Sequence, residues 1–251
     1  MNRWSASLLM KTLPLVLLLV TSGVSGSAEA MTVRPGSLDL SASGRNGDAS
    51  QILVTNDASA AVPVEITAFR VDINETGERT LTPADGKFQI FPQQAELKPG
   101  QTQSFRIRWT GGENLSVSES YHIFVNQVPV KLPEKGIKLQ VVFKYKVLVN
   151  VTPPNSKASI ALVKAGIERD GGGARRPTVT VKNVGTAYGR FTDATLKLAS
   201  GNWQQVVASD QLRTLIGNGV VLPGKSRTFL LPIELPASVT QINADLEFKS
   251  R

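Results

Sequence analysis

The stretch that decides the fold is IKLQVVFKYKVLVNVT, residues 137–152. Every odd position from Ile137 to Val151 is apolar, whereas the even positions are mostly polar. Alternation with a period of two is the pattern of a β-strand that buries one face. The stretch is at least about twice as long as the usual strand of five or six residues. We therefore predict a long strand that extends beyond what its own domain can cover.

Short β-rich runs separated by turn residues continue on both sides of this stretch and favour an all-β fold. The predicted strands before it are 51–55, 62–72, 88–91, 103–109 and 121–129. Those after it are 159–163, 178–182, 191–198, 203–207, 227–232 and 241–248. Six or seven strands in about 120 residues is typical of an immunoglobulin-like β-sandwich. Neither half reads as a sequence repeat of the other.

The 251 residues suit two domains of roughly 100 residues each. Pro153 and Pro154 cannot donate hydrogen bonds to a sheet and favour an extended, stiff chain. We place the domain boundary there, which predicts one domain over 31–152 and a second over 153–251.

The first thirty residues have the pattern of a secretory signal peptide. Arg3 and Lys11 supply positive charge, an apolar run follows over 13–20, and Ala28 and Ala30 fit a cleavage site. We expect a mature protein that starts near Met31 and is exported. No later stretch is long and apolar enough to span a bilayer, so no membrane insertion is expected.

Composition argues against several classes of function. The chain has no cysteine, which excludes thiolate catalysis and cysteine-bound zinc. His122 is the single histidine, and we interpret it as a partly buried, hydrogen-bonded side chain rather than a catalytic base. The net charge is +8, but the basic residues are dispersed, so nucleic-acid binding is not expected. We predict a non-enzymatic protein without metal or other cofactor.

The long strand at 137–152 has two interpretations. On the pattern alone it could be the longest core strand of a sandwich, with its odd face buried internally. It is also the last strand of its domain, and exposed apolar edge strands recruit other chains. A strand of this kind suits β-augmentation, in which main-chain bonds give affinity and alternate side chains enter pockets of the partner.

Several motifs resemble the periplasmic pilus, or fimbrial, chaperones of the chaperone–usher pathway. They are QILVTND at 51–57, FP at 91–92, LKPG at 97–100, FRIR at 105–108, YHIFVNQVP at 121–129 and the Leu139-Gln140 start of the long strand. In the second half the resemblance depends on Val184-Gly185 and on VLPG at 221–224.

This resemblance implies two immunoglobulin-like sandwiches in an L-shaped arrangement. It implies a chaperone that completes a pilus subunit by donor-strand complementation, which is a form of β-augmentation. The chaperone would then deliver the subunit to an outer-membrane usher. Leu139, Val141 and Phe143 fall on the positions that fill the subunit's groove, with Ile137 and Tyr145 as extensions. A self-capping dimer of the unbound chaperone is a further possibility.

One departure from the family concerns the site that holds the subunit's C-terminal carboxylate. Well-known members use an arginine on the first strand and a lysine near the end of the donor strand. Here Leu148 occupies the lysine position, and Asp39 and Leu40 lie where the arginine is expected. This favours a divergent branch, archaic or spore-coat-like. The candidate replacement cations are Lys144, Lys146, Arg34, Arg106 and Arg108.

The alternative function is that of an exported adhesin or carbohydrate-binding sandwich. Trp109, Trp203, Tyr121 and Tyr188 would line its sugar-binding face, although aromatic residues are more often part of a core.

Overall fold

The computed structural model describes residues 31–42, 49–112, 114–129 and 141–249. The predicted signal peptide therefore lies outside the described residues, as do Ile137 and Leu139. Strands dominate, which confirms the predicted all-β class. Among the described residues, no helix has the length and apolar character needed to cross a membrane.

The first half of the chain forms two sheets packed face to face. Its strands are β1 (Met31–Arg34), β2 (Ser37–Ser41), β3 (Ala49–Asn56), β4 (Val62–Ile73), β5 (Arg79–Pro83), β6 (Phe88–Phe91), β7 (Gln94–Leu97), β8 (Thr102–Trp109), β9 (Glu119–Gln127) and β10 (Lys144–Thr152). One sheet has the order β1-β3-β8-β6. The other has the order β2-β10-β9-β4-β5, and β7 also pairs with β4. All neighbours are antiparallel except β2 and β10, which run parallel.

The core of this first sandwich consists of the inward-facing residues of both sheets. Phe105, Ile107, Tyr121 and Ile123 are fully buried in it. Tyr121 and Phe88 meet edge to face, with ring centroids 4.9 Å apart. Burial, then the hydrogen bond to Glu119, raises the pKa of the Tyr121 hydroxyl, so this tyrosine stays neutral. Packing of this kind explains how the domain is stable without disulfides.

Strand β4 buries different faces along its length. Its even residues from Val62 to Ala68 are buried in the first core, but Val71 and Ile73 are the buried residues at its end. The pairing of β4 with β9 continues without a shift, so no bulge causes the change. Val71 and Ile73 instead pack on the outer side of the sheet against Val220 and Leu222 of the second half. One strand thus contributes both to a core and to the junction between the domains.

The second half of the chain has its own hydrophobic core. Its elements are β11 (Ile160–Arg169), β12 (Arg175–Asn183), β13 (Gly189–Arg190), β14 (Ala194–Ser200), β15 (Trp203–Val207), α1 (Ser209–Ile216), β16 (Val220–Val221), β17 (Ser226–Leu230) and β18 (Asn243–Phe248). The main sheets have the orders β11-β12-β17 and β15-β14-β18. Buried side chains such as Phe191, Leu196 and Leu231 fill the space between them. The predicted boundary after Thr152 falls in the connection between β10 and β11 and stays a prediction.

A buried asparagine fixes the same turn in both halves. Asn56 donates through Nδ2 to the carbonyl oxygens of Ala60 (2.8 Å) and Leu97 (2.9 Å), and its Oδ1 accepts from the Ala58 amide. Asn183 makes the corresponding bonds: its Nδ2 donates to the carbonyls of Ala187 (2.8 Å) and Val221 (3.0 Å).

A Pro-Gly turn also pairs with each asparagine. The Gly100 amide donates to the Asn56 carbonyl, and the Gly224 amide donates to the Asn183 carbonyl, both at 2.8 Å. The two sandwiches therefore share a structural framework, although neither half is a sequence repeat of the other.

Candidate functional site

Strand β10 changes its surroundings halfway along. From Leu148 to Thr152 it has β9 on one side and β2 on the other. From Lys144 to Val147 it pairs only with β9. Within the part of the chain that the structure describes, no backbone hydrogen bond occupies its other side there. Among the described residues, the N-terminal part of β10 is therefore an open sheet edge.

The odd-numbered side chains follow the same division. Val147, Val149 and Val151 are sealed in the first core, whereas Val141 is 57% exposed. Phe143 and Tyr145 are half-buried and pack against the edge of that core. The core-strand interpretation is thus correct for the C-terminal half of the predicted strand. The donor-strand interpretation remains a prediction for residues 137–145, of which Val141, Phe143 and Tyr145 are described.

Val141 and Phe143 precede the first residue of β10, which begins at Lys144 rather than at 137. The Phe143 carbonyl nevertheless accepts the Gln127 amide at 2.9 Å, so the chain still follows β9 at this point. Tyr145 is fixed by its hydroxyl, which accepts a bond from the Met31 amide at 3.1 Å. The open edge is therefore held in an extended course next to β9.

Lys144 and Lys146 point to the outer face of the sheet, away from the first core. The Lys144 ammonium lies 4.1 Å from the centroid of the Phe124 ring, a cation–π contact. Lys146 lies directly across from Phe124 in the β9–β10 pair. Both lysines are exposed and belong to the open edge itself.

The structure does not bring the other three candidate cations to this place. Arg106 and Arg108 lie on β8, in the opposite sheet, where they line a shallow surface cavity with Phe91. Arg34 is exposed at the end of β1, opposite Leu53. The five candidate cations therefore do not form a single cluster.

Leu148 shows what replaces the family's lysine. It lies opposite Ser37 of β2 and packs into a small apolar cluster with Val71, Ile73, Val220 and Leu222. This cluster contains side chains of both domains, so the lysine position forms part of an apolar junction.

Polar contacts surround this junction. Asp39 Oδ1 accepts bonds from the Tyr188 hydroxyl (2.6 Å) and from Asn150 Nδ2 (2.9 Å). On the other side, the Thr228 amide donates to the Glu75 carbonyl (2.8 Å), and Lys225 forms an ion pair with Asp72 (2.9 Å). Asp72 and Glu75 are exposed, and both nevertheless bind residues of the second domain.

His122 lies on the same outer face and is almost completely buried, with 4% of its surface exposed. Its strand neighbours are Leu148 and Phe69, and its ring meets Phe124 edge to face. Within the described residues its Nδ1 has no hydrogen-bond partner. Burial, followed by the positive charges of Lys146 and Arg79, lowers its pKa to about 4.

The aromatic residues of the alternative function do not form a common exposed face. Trp109 and Tyr121 are core residues of the first sandwich. Trp203 packs at the edge of the second core, and Tyr188 belongs to the junction. This arrangement offers no row of stacked aromatic rings for a sugar.

No family model matches the chain, and no curated protein matches it in sequence. Solved structures do match. The class 5 fimbriae chaperone CfaA has a TM-score of 0.53 and 18% identity, and the match covers 88% of this chain and 100% of CfaA.

Two complexes contain similar chains. One is the CsuC–CsuE chaperone–tip adhesion subunit pre-assembly complex from archaic chaperone–usher Csu pili of Acinetobacter baumannii (TM-score 0.52, 14% identity, 86% of this chain and 97% of that chain). The other is the Salmonella enterica SafA pilin in complex with the SafB chaperone (TM-score 0.51, 14% identity, 81% and 85%).

The chain has the fold of the fimbrial chaperones. The predicted pair of immunoglobulin-like sandwiches is confirmed. At this level of identity the likeness concerns the fold alone.

Proposed function

We propose that this protein is a periplasmic, non-enzymatic chaperone that binds pilus subunits by donor-strand complementation and delivers them to an outer-membrane usher. The observation that carries the proposal is the open edge at residues 144–147, next to the exposed Val141. A subunit that lacks its last strand exposes unpaired backbone groups and an apolar groove. An added strand supplies hydrogen bonds to the backbone and apolar side chains to the groove.

Ile137, Leu139, Val141, Phe143 and Tyr145 are the proposed groove-filling residues. Val141 is accessible already in the unbound chain, whereas Phe143 and Tyr145 have one side against the first core. We expect Val141 and the residues before it to enter the subunit most deeply. Phe143 and Tyr145 would form the floor on which the subunit's neighbouring strand rests.

The test is capture of a pilus subunit that lacks its own last strand, by co-expression in the periplasm and affinity purification. Val141→Asp places a charge where the apolar groove would close, and we expect it to abolish capture while the chain remains folded. Val206→Asp is the matched control, because Val206 is 58% exposed but lies on the outer face of the second sandwich. Equal capture by both variants would contradict the proposal.

We further propose Lys146 as the cation that receives the subunit's terminal carboxylate, with His122 beside it. Lys146 belongs to the open edge and lies two residues before Leu148, and its charge acts on His122, whose Nδ1 has no partner among the described residues. Lys144 already contacts Phe124, and the three arginines lie elsewhere.

Lys146→Met should weaken capture of the subunit roughly tenfold or more, since a hydrogen bond to a charged group is worth about 1.5–3 kcal/mol. Lys182→Met, on an exposed position of the second sandwich, should leave the affinity unchanged. If both variants bind like the wild type, the anchor lies elsewhere.

A further inference from the structure

The backbone of the open edge directs its hydrogen-bonding groups in a defined pattern. The Gln127 amide donates to the Phe143 carbonyl at 2.9 Å, so the backbone groups of Phe143 face β9. Successive residues of an antiparallel strand face opposite sides, so Lys144 and Lys146 direct their N–H and C=O groups away from β9. The Leu148 amide, next in this series, donates at 3.1 Å to the carbonyl just before β2. An added strand would therefore bond to the two lysines in line with β2.

The side chains of the same two lysines, Lys144 and Lys146, are exposed on the outer face of the sheet. The Lys144 ammonium contacts the Phe124 ring but meets no opposite charge there. Among the described residues, neither lysine forms an ion pair. The residues that would bind a new strand through their backbone are thus also the residues that present a positive charge to it.

The rest of this face offers the two lysines little negative charge. In register beside them on β9 lie Asn126 and Phe124, and beyond these on β4 lie Glu65 and Thr67. Glu65 is the only carboxylate in these two rows of the described sheet, and it is two strands away from the edge. The positive charge along the edge is therefore available to a strand that arrives from the open side.

The other face of the edge is apolar. Val141 is 57% exposed, and Phe143 and Tyr145 are half-buried beside the first core. A strand that lies along the edge would meet apolar side chains on one face and lysines on the other. Directly opposite residues of two paired strands point to the same face of the sheet. The edge therefore favours a strand in which apolar and acidic residues alternate.

The lysines also disfavour the simplest competitor, which is the same edge of a second copy. Pairing two such edges would place lysine side chains beside lysine side chains, and like charges across a strand pair are destabilising. Lysine on an exposed edge is a common means by which proteins avoid uncontrolled strand pairing. Here it would leave the edge open to a strand of opposite charge.

We propose that Lys144 and Lys146 select acidic partners, so that the open edge accepts a strand with apolar residues on one face and aspartate or glutamate on the other. This inference rests on the proposed function and names the class of strand that the function would involve. In a pilus subunit, the terminal carboxylate at Lys146 and an acidic side chain opposite Lys144 are the groups that would meet the lysines. Each opposite-charge pair across two strands changes the affinity by up to about fivefold.

The test uses the full chain without a subunit, and peptides with blocked ends that carry valine at alternate positions. Between the valines, one peptide has glutamate, one has glutamine and one has lysine. Titration followed by nuclear magnetic resonance gives the Kd of each peptide, and hydrogen exchange shows where it binds. The amides of Lys144 and Lys146 should exchange more slowly when a peptide is bound. The Tyr145 amide, which faces β9, serves as the internal reference.

We expect the Kd of the glutamate peptide to be roughly tenfold below that of the glutamine peptide, and the lysine peptide to bind more weakly than either. Added salt should reduce these differences, because it screens exposed charges. In Lys144→Glu/Lys146→Glu the order of the peptides should reverse. Lys164→Glu/Lys182→Glu is the matched control, since it changes the net charge equally at exposed positions of the second sandwich and should keep the wild-type order.

Equal Kd values for the peptides, binding that protects neither lysine amide, or no binding of any peptide would overturn the proposal. An unchanged order in Lys144→Glu/Lys146→Glu would do the same. These outcomes are separate from subunit capture. A chain that captures subunits but does not distinguish the peptides refutes the charge selection alone. A chain that prefers the glutamate peptide but captures no subunit refutes the proposed function alone.

Discussion

At the scale of single residues, His122 is a polar group placed where no polar group is easily accommodated. It lies among Phe69, Phe124 and Leu148, and the nearby charges of Lys146 and Arg79 are both positive. Arg227, also in the junction, has its own pKa lowered by burial and then by Arg79. Of the carboxylates at the junction, Asp72 binds Lys225 and Glu75 binds Thr228, so neither neutralises His122. An imidazolium at this position would be strongly disfavoured.

The stability of the protein should therefore decrease in mild acid. Unfolded histidine takes up its proton below a pH of about 6.5, but folded His122 does so only near pH 4. Between these values the unfolded state binds more protons, so the free energy of unfolding falls as the pH falls. We expect a loss on the order of 2 kcal/mol, less than the full pKa difference implies, because water screens the exposed Lys146 charge. Urea denaturation at pH 7, 5.5 and 4.5 measures it.

His122→Phe is the control for this prediction. Phenylalanine fits the aromatic surroundings and does not titrate. The free energy of unfolding of the variant should therefore fall by about 2 kcal/mol less than that of the wild type over the same pH range. All other titratable groups are the same in the two proteins, so their contribution cancels in the comparison. Parallel pH profiles for the two proteins would show that His122 is not responsible.

At the scale of elements, the long alternating strand shows both what a sequence reveals and what it cannot. The period of two correctly predicted an extended chain with an apolar odd face. The pattern is the same at Val141 and Val147, although one is exposed and the other is in the core. The difference is one of position in the sandwich, since Val147 lies within β10 and packs in the first core, whereas Val141 precedes the first residue of β10. Pairing between strands distant in sequence leaves no local signal.

Strand β4 is a second case in which the sequence predicted the strand but not its surroundings. The sequence predicted a strand over 62–72, but it gave no sign that Val71 and Ile73 serve the junction rather than the core. Likewise, Asp39 and Tyr188 are 149 residues apart, and nothing in either surrounding sequence indicates that they meet. The buried asparagines are different, because the pairing of Asn with a later Pro-Gly turn recurs in both halves and could have been noticed.

Opposite outcomes are expected for one substitution at two places in the β10 region. Val147→Asp buries a charge in the first core and should reduce the free energy of unfolding by about 4 kcal/mol or more. Val141→Asp places the same charge on the exposed chain and should change stability by less than about 0.5 kcal/mol. Thermal or urea denaturation of the unbound proteins measures both. Comparable losses would mean that residue 141 is also buried in solution.

At the scale of the whole molecule, two sandwiches with separate cores are joined by a junction that is partly apolar and partly hydrogen-bonded. Each half contains its own asparagine-fixed turn, so each sandwich has hydrogen bonds of this kind that do not depend on the other half. The junction then determines whether the two halves unfold together or separately. Independent domains unfold in separate steps unless their interface stabilises both.

We expect the wild-type chain to unfold in a single calorimetric transition, because opening the junction exposes Val71, Ile73, Val220 and Leu222 and breaks the bonds of Asp39 and Glu75. Ile73→Asn introduces an amide without a partner into the apolar cluster, at a cost of about 2–4 kcal/mol. Since Ile73 belongs to neither main core, the substitution should weaken the coupling between the domains more than it destabilises either domain. The variant should show two transitions in differential scanning calorimetry.

Leu53→Asn is the matched control for the calorimetric test. Leu53 is a similar aliphatic residue that is 39% exposed on the outer face of β3, far from the junction in the opposite sheet. Its substitution should leave a single transition at nearly the wild-type temperature. Two transitions already in the wild type, or one transition in Ile73→Asn, would show that the cluster does not couple the domains.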